Sequence, residues 1–423
     1  MTATRVCDWA AWGTLGLATV APGTVLAAAD VLLRLETVLG HTTNALRLAN
    51  DELARVPPPV TDTSTLRLRA DVGISWDLGH PANRLQLTHQ LQRSTHAQVA
   101  ELDGNSQLST ANLVWGRERW ITGQLTTRWQ DQPERLDIGN NQARTGRQRT
   151  QSHGWTLSLN PTPQWSVPLQ NTWRHTRTDA AVAAESGDIQ ERSQRVGLAW
   201  SPQPGRSIGL GITDTTLTTT PVFWSAGTLG QPLQLRTHSL EVDWRVSVKT
   251  QLTATWGAQR WKLPLIGQPA SSRRPLSLGV DHRYSALTRL QYQYRQDMVA
   301  DFSARSGLTQ QSVHDWSLNW VHSPKTRLRL DLTRARQQPA FQDGGVRGSE
   351  RTRQWAFASR LEYEWHRPWT TFVEWGLERK TIEPLSGPNR HIRLNFWQVG
   401  LRYDWERSRY DRDAMSLQAL PRL

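Results

Sequence analysis

The clearest pattern in the chain is a strict alternation of apolar and polar side chains over residues 65–78. Leu66 and Leu68 fall on one parity, and Arg67 and Arg69 fall on the other. An α-helix cannot keep a two-residue period over so many positions, whereas a β-strand points successive side chains to opposite faces. The pattern therefore predicts a strand with one apolar and one polar face.

The same alternation recurs along most of the chain, from residues 31–41 to residues 397–405. Polar interruptions separate the predicted strands, and short interruptions alternate with longer ones. Short turns are predicted near 79–83, 116–119, 160–163, 201–205, 247–250, 285–288, 322–325 and 366–368. Longer connections are predicted near 42–63, 103–105, 131–146, 179–188, 219–233, 264–275, 301–311, 337–351 and 383–389, with a short helix over 44–55.

This alternation of short turns and longer connections between strands predicts an all-β protein, a transmembrane antiparallel up-and-down β-barrel of about 18 strands. In such barrels the short turns and both termini are periplasmic, so we expect both termini there. The chain has 423 residues, of which 37% are hydrophobic, and its mean hydropathy is −0.59. That composition has few apolar residues for a soluble protein with a filled core. A barrel with a water-filled lumen, however, needs only one apolar face.

Tryptophan is unusually abundant, with 22 residues against 6 Tyr and 6 Phe. Many of these indoles lie beside the predicted short turns, namely Trp76, Trp115, Trp120, Trp165, Trp200, Trp244, Trp320, Trp365, Trp369 and Trp405. Trp129, Trp261 and Trp355 lie near longer connections. The amphipathic indole ring favours membrane interfaces, so these positions predict aromatic belts. The alternative is that the rings stack in a core.

The N-terminal stretch predicts a secretion signal over residues 1–29. Arg5 supplies a positive charge, residues 12–21 form an apolar run, and small residues around Ala27 suit a cleavage site. The single cysteine, Cys7, lies inside this segment, so the mature chain is expected to have no thiol. We therefore divide the chain into a signal peptide (1–29), a barrel (30–405) and a periplasmic tail (406–423).

The last predicted strand carries Gln398, Gly400, Tyr403 and Trp405 in the order polar, glycine, aromatic, aromatic. This order resembles the terminal signal that outer-membrane barrels present to their insertion machinery. That signal usually ends a chain, whereas residues 406–423 follow it here. The resemblance implies the outer membrane of a Gram-negative bacterium, with outer-membrane lipid and the barrel-insertion machinery as partners.

If the apolar parity faces lipid, the opposite parity lines the lumen, and we expect a substrate path lined by arginines. The arginines predicted to line the lumen are Arg67, Arg69, Arg84, Arg128, Arg174, Arg195, Arg245, Arg283, Arg289, Arg295, Arg327, Arg329, Arg360, Arg393 and Arg402, and all of these except Arg283, Arg360 and Arg402 are predicted substrate-path residues. The acids predicted beside them are Asp71, Glu241, Asp243, Asp281, Asp297, Asp315, Asp331, Glu362, Glu364, Glu374 and Glu378.

Because arginine exceeds acid in this set, we expect a wall with excess positive charge that suits a polar, anionic substrate such as an acidic sugar chain. The alternative is that each arginine pairs with an acid on a neighbouring strand and only stabilises the wall.

Residues 29–50 contain Asn44 followed by Arg47 and Leu48. This stretch resembles the start of mature EpsL-type barrels found with exopolysaccharide operons, although Thr43 stands where that family tends to have an acid. The resemblance implies an outer-membrane barrel that serves the export of an extracellular polysaccharide. It implies a polysaccharide chain and periplasmic export components as partners, and it supplies no catalytic residues.

The preferred hypothesis is therefore an export pore for an anionic polysaccharide. One alternative is an uptake porin for anionic oligosaccharides or small solutes. Another is a barrel enzyme acting on lipid or surface substrates, for which His314, Asp315 and scattered serines are the suggestion. The chain has no G-x-S-x-G motif and no phosphate-binding loop, so we predict no catalytic residues, metal or cofactor.

The net charge of +13 suggests nucleic acid as a further possible partner. The basic residues are interleaved with acids rather than gathered in a tail or helix, so nucleic acid is not an expected partner.

Overall fold

The computed structural model describes residues 29–45, 62–78, 83–99, 102–118, 120–138, 142–180, 187–220, 233–262, 271–301, 307–339, 351–384 and 388–407. The predicted signal peptide up to residue 28, the predicted helix beyond residue 45 and the predicted tail from residue 408 lie outside the described residues. None of the described residues belongs to a helix that is long and apolar enough to cross a bilayer.

The described residues form nineteen β-segments. They are β1 Ala29–Thr42, β2 Thr63–Asp77, β3 Arg84–His96, β4 Gly104–Glu118, β5 Ile121–Ile138, β6 Gln142–Thr162, β7 Trp165–Ala180, β8 Gly187–Gln203, β9 Arg206–Thr220, β10 Leu233–Arg245, β11 Thr250–Lys262, β12 Ser271–Arg273, β13 Leu276–Arg283, β14 Thr288–Asp301, β15 Gly307–Ser323, β16 Thr326–Pro339, β17 Arg351–His366, β18 Trp369–Glu383 and β19 Arg390–Arg407.

Each segment pairs antiparallel with its sequence neighbour, and β1 also pairs with β19, which closes the sheet. The short segment β12 and its successor β13 both pair with β11, so they are two parts of one barrel strand. The described residues therefore form a closed antiparallel barrel of 18 strands, which confirms the predicted fold. In a closed barrel every strand has two neighbours, so no sheet edge is left unpaired.

The two edges of the barrel differ in the connections that they carry. At one edge, here called the short-turn edge, hairpins such as Gln203–Arg206 and Ser323–Thr326 join successive strands. The longer connections lie at the opposite edge, here called the long-connection edge. Strand β1 begins and β19 ends at the short-turn edge.

The prediction of a long connection over 131–146 was wrong. Strand β5 continues to Ile138, and β6 begins at Gln142 and pairs with it in register. These residues lack an apolar parity because the wall extends beyond the apolar band, where ladder hydrogen bonds rather than side-chain burial hold the strands. Strand β19 likewise ends at Arg407, two residues beyond the predicted end of the barrel.

The outer face of the barrel carries a continuous apolar band. Its exposed members include Leu35, Leu39, Leu66, Leu68, Val72, Val196, Leu198, Leu210, Leu361, Val373, Val399 and Leu401. Exposed tryptophans lie on the same face at the short-turn edge, among them Trp165, Trp200, Trp320, Trp369 and Trp405. So much exposed apolar surface is stable only in lipid. The protein is therefore a membrane-spanning barrel of the Gram-negative outer membrane.

The largest fully buried side chains lie on the inner face, beside the seam where β1 meets β19. Phe372 is 1% exposed and Val38 is 2% exposed. The Phe372 ring lies flat over Gly400, so that a Cβ atom at that glycine would come within 2.1 Å of the ring. Phe396 covers Gly376 in the same way, at 2.4 Å. Glycine is needed at both positions because only a residue without a side chain lets the aromatic ring lie against the strand.

Candidate functional site

The register places all of the predicted lumen arginines except Arg393 on the inner face of the barrel. Arg393 shares its parity with the exposed Trp397 and lies directly opposite Arg379 on β18, so it points outward. The prediction failed there because Ile392 and Leu394, the neighbours of Arg393 on the opposite parity, are apolar but buried on the inner face. The apolar parity of β19 therefore no longer marks the lipid-facing side at this level.

Most of these inner arginines form ion pairs with acids. The N–O distances are 2.9 Å for Arg69–Asp71, 3.0 Å for Arg84–Asp77, 3.6 Å for Arg174–Glu191, 3.6 Å for Arg295–Asp297 and 2.9 Å for Arg329–Asp331. Arg195 pairs with Glu241, and Arg289 Nε donates to Asp281 at 2.9 Å. Pairing with acids, the alternative considered above, therefore applies to much of the wall.

Other inner arginines bind amides or form no ion pair. Arg67 donates to the Gln398 side chain at 2.8 Å, and Arg128 donates to Gln130 at 2.9 Å. Among the described residues, no acid lies within ion-pair distance of Arg245 or Arg327. Asp243 precedes Arg245 by two positions on the same face, and Glu362 lies opposite Arg327, but neither acid holds the guanidinium in an ion pair.

A repeated pattern along single strands accounts for many of the pairs. An arginine is followed two positions later by an acid in Arg69–Asp71, Arg295–Asp297, Arg329–Asp331, Arg360–Glu362 and Arg402–Asp404. Residues two apart in a strand share a face, about 6.6 Å from each other, and the long arginine side chain spans that gap. Sequence reasoning missed these pairs, although an Arg-x-acid motif on the polar parity would have identified them.

At the seam the charges form a connected set, here called the seam network and consisting of Arg34, Glu36, Arg69, Asp71, Arg360, Glu362, Glu374, Arg402 and Asp404. In register, Arg34 faces Asp404 on β19 and Asp71 on β2, while Glu36 faces Arg402 and Arg69.

The members of the seam network lie on five strands, and contacts between strands join β1, β17, β18 and β19. Arg34 lies 2.6 Å from Asp404, and Arg402 lies 2.9 Å from Asp404 and 3.2 Å from Glu362. Arg360 contacts Glu362 at 2.8 Å, Glu374 at 3.5 Å and Glu36 at 3.9 Å, and its guanidinium lies 3.7 Å above the Phe372 ring.

The seam network and the rest of the inner wall differ in exposure. Side chains of the seam network are largely buried, with Arg402 16% and Arg360 19% exposed. On the remaining wall Arg174 is 61% and Arg295 is 53% exposed. The seam network therefore serves mainly to fix the closing register, and the exposed wall on β7, β8 and β14–β16 is the part that a solute can reach.

For the described residues, the excess of positive charge on the inner wall is smaller than expected. Their inward basic residues are Arg34, Arg67, Arg69, Arg84, Arg128, Arg174, Arg195, Arg245, Arg273, Arg283, Arg289, Arg295, Arg327, Arg329, Arg360, Lys380, Arg390 and Arg402. Their inward acids are nearly as many, namely Asp30, Glu36, Asp71, Asp77, Glu191, Glu241, Asp243, Asp281, Asp297, Asp315, Asp331, Glu362, Glu364, Glu374, Glu378 and Asp404.

The positive charge is instead concentrated on the outer face, near the long-connection edge. Outward arginines there are Arg93, Arg147, Arg149, Arg177, Arg192, Arg236, Arg260, Arg334, Arg336, Arg351, Arg353, Arg379 and Arg393. The outward acids of the described strands are only Asp131, Asp179, Asp188, Asp214 and Glu383. The alternation of the sequence was interpreted as placing the polar residues in the lumen. It therefore did not predict this second basic surface on the outer face.

The suggested enzyme residues do not come together. His314 lies on the outer face beside Tyr292, whereas Asp315 points inward and accepts a hydrogen bond from Thr333 at 2.7 Å. A different pair, His175 and Asp188, lies on the outer face with Nε2 and Oδ1 2.5 Å apart. The ladder neighbours of His175 are Gln151 and Gln190, neither of which carries a hydroxyl group. Among the described residues, no group of three or more His, Cys, Asp or Glu side chains could hold a metal ion.

No model of a protein family matches the chain, and no curated protein matches it. Among solved structures, the siderophore receptor PirA from Pseudomonas aeruginosa matches with a TM-score of 0.45 and 9% identity, over 88% of this chain and 80% of its own.

Two further structures match over similar lengths. OccK2 (OpdF) from Pseudomonas aeruginosa, in complex with glucuronate, has a TM-score of 0.47 and 10% identity, over 90% of this chain and 99% of its own. OccAB4 from Acinetobacter baumannii has a TM-score of 0.42 and 9% identity, over 89% and 98%. At these values the similarities assign neither a family nor a function to this chain.

Proposed function

We propose that the barrel is an outer-membrane pore for the export of an extracellular polysaccharide, and that it belongs with the EpsL-type barrels that its opening residues resemble. The observation that carries the proposal is the chemistry of the exposed inner wall. Guanidinium–carboxylate pairs alternate there with glutamine, threonine and serine side chains. A barrel of this strand number leaves an aqueous channel rather than a filled interior.

A sugar chain presents hydroxyl groups that both donate and accept hydrogen bonds. The exposed pair Arg329–Asp331 supplies donors and acceptors side by side, and Gln291 accepts from Ser317 at 3.2 Å on the same wall. Such a wall can exchange hydrogen bonds with a moving chain without one tight binding point, and a conducting path needs sites that release what they bind.

The acidic character that we propose for the polymer rests on the inner guanidinium groups that form no ion pair. Arg245 and Arg327 have no ion-pair partner among the described residues, and Arg128 donates to an amide. Arginine binds carboxylates through a planar fork of donors, so these groups are suited to the carboxylates of an acidic sugar. Because the rest of the wall is nearly neutral, we expect a moderate preference for anions.

A planar-bilayer measurement on the purified barrel tests this proposal. We expect a reversal potential that favours anions, and longer blocking events with an acidic oligogalacturonide than with a neutral malto-oligosaccharide of equal length. Arg245→Gln with Arg327→Gln should reduce both effects. The matched control, Arg295→Gln with Asp297→Asn, removes a neutral pair from the same wall and should leave selectivity unchanged.

Raising the salt concentration should weaken the preference, because the Debye length falls from about 8 Å at physiological salt to about 3 Å at 1 M. Equal blocking by the acidic and neutral sugars, or an unchanged reversal potential in the arginine variant, would contradict the acidic substrate.

The second candidate is an uptake porin for anionic oligosaccharides or small solutes. The near balance of acids and bases on the inner wall favours it, because a balanced wall admits small solutes of either sign. The two candidates differ in the direction of transport, which the secretion phenotype of a deletion strain reports.

A further inference from the structure

Six outward arginines on β16–β19 form a surface here called the arginine patch, consisting of Arg334, Arg336, Arg351, Arg353, Arg379 and Arg393. All six side chains are exposed. Among the described residues of these strands, only one outward acid accompanies them, Glu383, which lies 3.2 Å from Arg353. The patch therefore carries a large uncancelled positive charge on the membrane-facing side of the barrel.

The register arranges the patch in rows that run across the strands. Arg334, Trp355, Arg379 and Arg393 are direct neighbours across β16–β19. The Arg334 guanidinium lies over the Trp355 ring, 5.2 Å from its centroid. This stacking holds one cation flat against the surface and leaves its donors directed outward.

Two pairs of like charges lie directly opposite each other within the patch. Arg379 faces Arg393, and Arg336 faces Arg353. Like charges at directly opposite positions destabilise a sheet, so this arrangement is favourable only when an anion lies between them. Among the described residues, neither Arg379 nor Arg393 has an acid within ion-pair distance.

The same arrangement occurs elsewhere on the outer face with its charges cancelled. Arg149 lies directly opposite Arg177 on β6 and β7. There Arg149 has Asp131 at 3.6 Å and Asp179 at 3.7 Å, and Arg177 has Asp179 at 2.8 Å. Among the described residues, the chain supplies acids to one arginine pair and none to the other, so an anion from outside these residues is needed to neutralise the patch.

The position of the patch indicates which class of anion it would meet. The outward row of Leu328, Leu361, Val373 and Val399 lies six residues below the row of Arg334, about 20 Å along the strands. The patch therefore begins where the apolar band ends, on the side away from the tryptophans of the short-turn edge. That is the level of the lipid headgroups, where arginine costs little on the lipid-facing surface of a barrel.

A polar cavity adjoins the patch on the outer face of β14–β16. Its volume is about 250 Å³, and its lining consists of Tyr294, Gln296, Gln310, Ser312, Arg336 and Gln338. All six side chains share the outward parity of Arg334. A cavity lined by amides and hydroxyls suits sugar hydroxyl groups rather than acyl chains.

We propose that the arginine patch binds the phosphate groups of anionic glycolipids in the outer leaflet, with sugar hydroxyls of the headgroup in the adjoining cavity. Arginine binds phosphate through paired charge-assisted hydrogen bonds. A phosphate between Arg379 and Arg393 would convert their mutual repulsion into two attractive contacts. This inference is independent of what passes through the lumen.

Native mass spectrometry of the full-length barrel in detergent tests the proposal, with bis-phosphorylated lipid A and the same lipid after phosphatase treatment as probes. We expect the wild-type barrel to retain the phosphorylated lipid preferentially and to release it as salt increases. Each basic residue near an anionic membrane surface contributes roughly a five-fold factor in affinity, so Arg379→Gln with Arg393→Gln should weaken binding on the order of 30-fold.

The matched control is Arg149→Gln with Arg177→Gln, which removes an opposed pair already neutralised by acids and should change affinity by less than about three-fold. A second readout is thermal stability without lipid, which the patch variant should raise or leave unchanged because the repulsion is removed.

Equal retention of the two lipids by the wild-type barrel would overturn the proposal, and this comparison needs no variant to fold. An equal loss of affinity in the control would also overturn it. Preferential binding of an acidic polysaccharide at the patch, or dimerisation abolished by the patch substitutions, would assign the surface to another partner and would equally overturn it.

Discussion

Arg34 and Asp404 lie across the seam of the barrel, with Nε and Oδ1 2.6 Å apart, and they join the first strand to the last. They are 370 residues apart in the chain and meet only once all the strands between them have formed. Arg34 also faces Asp71 on β2, and Arg402 holds Asp404 from the same strand. The closing register is therefore fixed by complementary charge as well as by backbone pairing.

Arg34→Glu should destabilise the barrel because it places a third acid between Asp404 and Asp71. Both members of the pair are largely buried, so we expect a loss of about 2–3 kcal/mol in the free energy of unfolding. Urea unfolding from lipid vesicles measures it, with Arg34→Lys as a mild substitution that keeps the charge. The control is Arg236→Glu opposite Asp214, a pair more than half exposed, which should cost less than about 1 kcal/mol. Equal losses at the two sites would contradict a structural role for the seam network.

Gly400→Ala should destabilise the barrel because the new Cβ atom would overlap the buried Phe372 ring. Overpacking of this kind costs about 1–3 kcal/mol, and Phe372→Leu in the same chain should recover part of the loss. The matched control is Gly187→Ala, where a Cβ atom would meet nothing within 4 Å. The temperature at which the folded band is lost in gel electrophoresis reports all three variants. If Gly400→Ala left this temperature unchanged, the Phe372 ring would not lie against the glycine.

Tyr403→Ala with Trp405→Ala should lower the amount of inserted barrel several-fold if these residues form the assembly signal. Tyr403 packs against Trp369 with ring centroids 4.9 Å apart, and Trp405 is exposed on the outer face. The control is Trp165→Ala with Trp200→Ala, an aromatic pair in register at the same edge but on internal strands. It should leave the inserted amount nearly unchanged. Outer-membrane fractionation measures both.

Removal of residues 408–423 should have little effect on insertion, because the tail lacks alternation. If that truncation abolished insertion while the aromatic substitutions were silent, the assembly signal would lie in the tail instead.

The fold could be predicted from the sequence because one physical constraint repeats along the whole chain. Residues such as Leu66 and Arg67 must face lipid and water respectively, and that requirement imposes a two-residue period in nearly every strand. The strand number followed from the turns between these periods. The constraint ends where the membrane ends, which is why β5 and β6 were predicted as a loop over 131–146 although they continue as paired strands.

The lumen could be predicted only in part. Parity assigned Arg69 and Arg329 to the inner wall, but it could not show that both are paired with acids two residues later. Acids such as Glu36 and Asp404 were missed, so the wall was expected to be more positive than it is. Arg393 was placed inside because its neighbours Ile392 and Leu394 are apolar, although they are buried on the inner face rather than exposed to lipid. The positions of the charged residues on the outer face could thus be assigned only when the register was known.

The central claim is that the barrel exports a polysaccharide, and the most direct measurement compares extracellular with periplasmic polymer in a strain that lacks the protein. We predict that the deletion abolishes extracellular polymer while polymer accumulates in the periplasm. The wild-type chain should restore secretion, and the chain with Arg245→Gln and Arg327→Gln should restore it only partly at equal barrel abundance. Normal secretion in the complete deletion strain would contradict the claim and would leave the uptake porin as the better account.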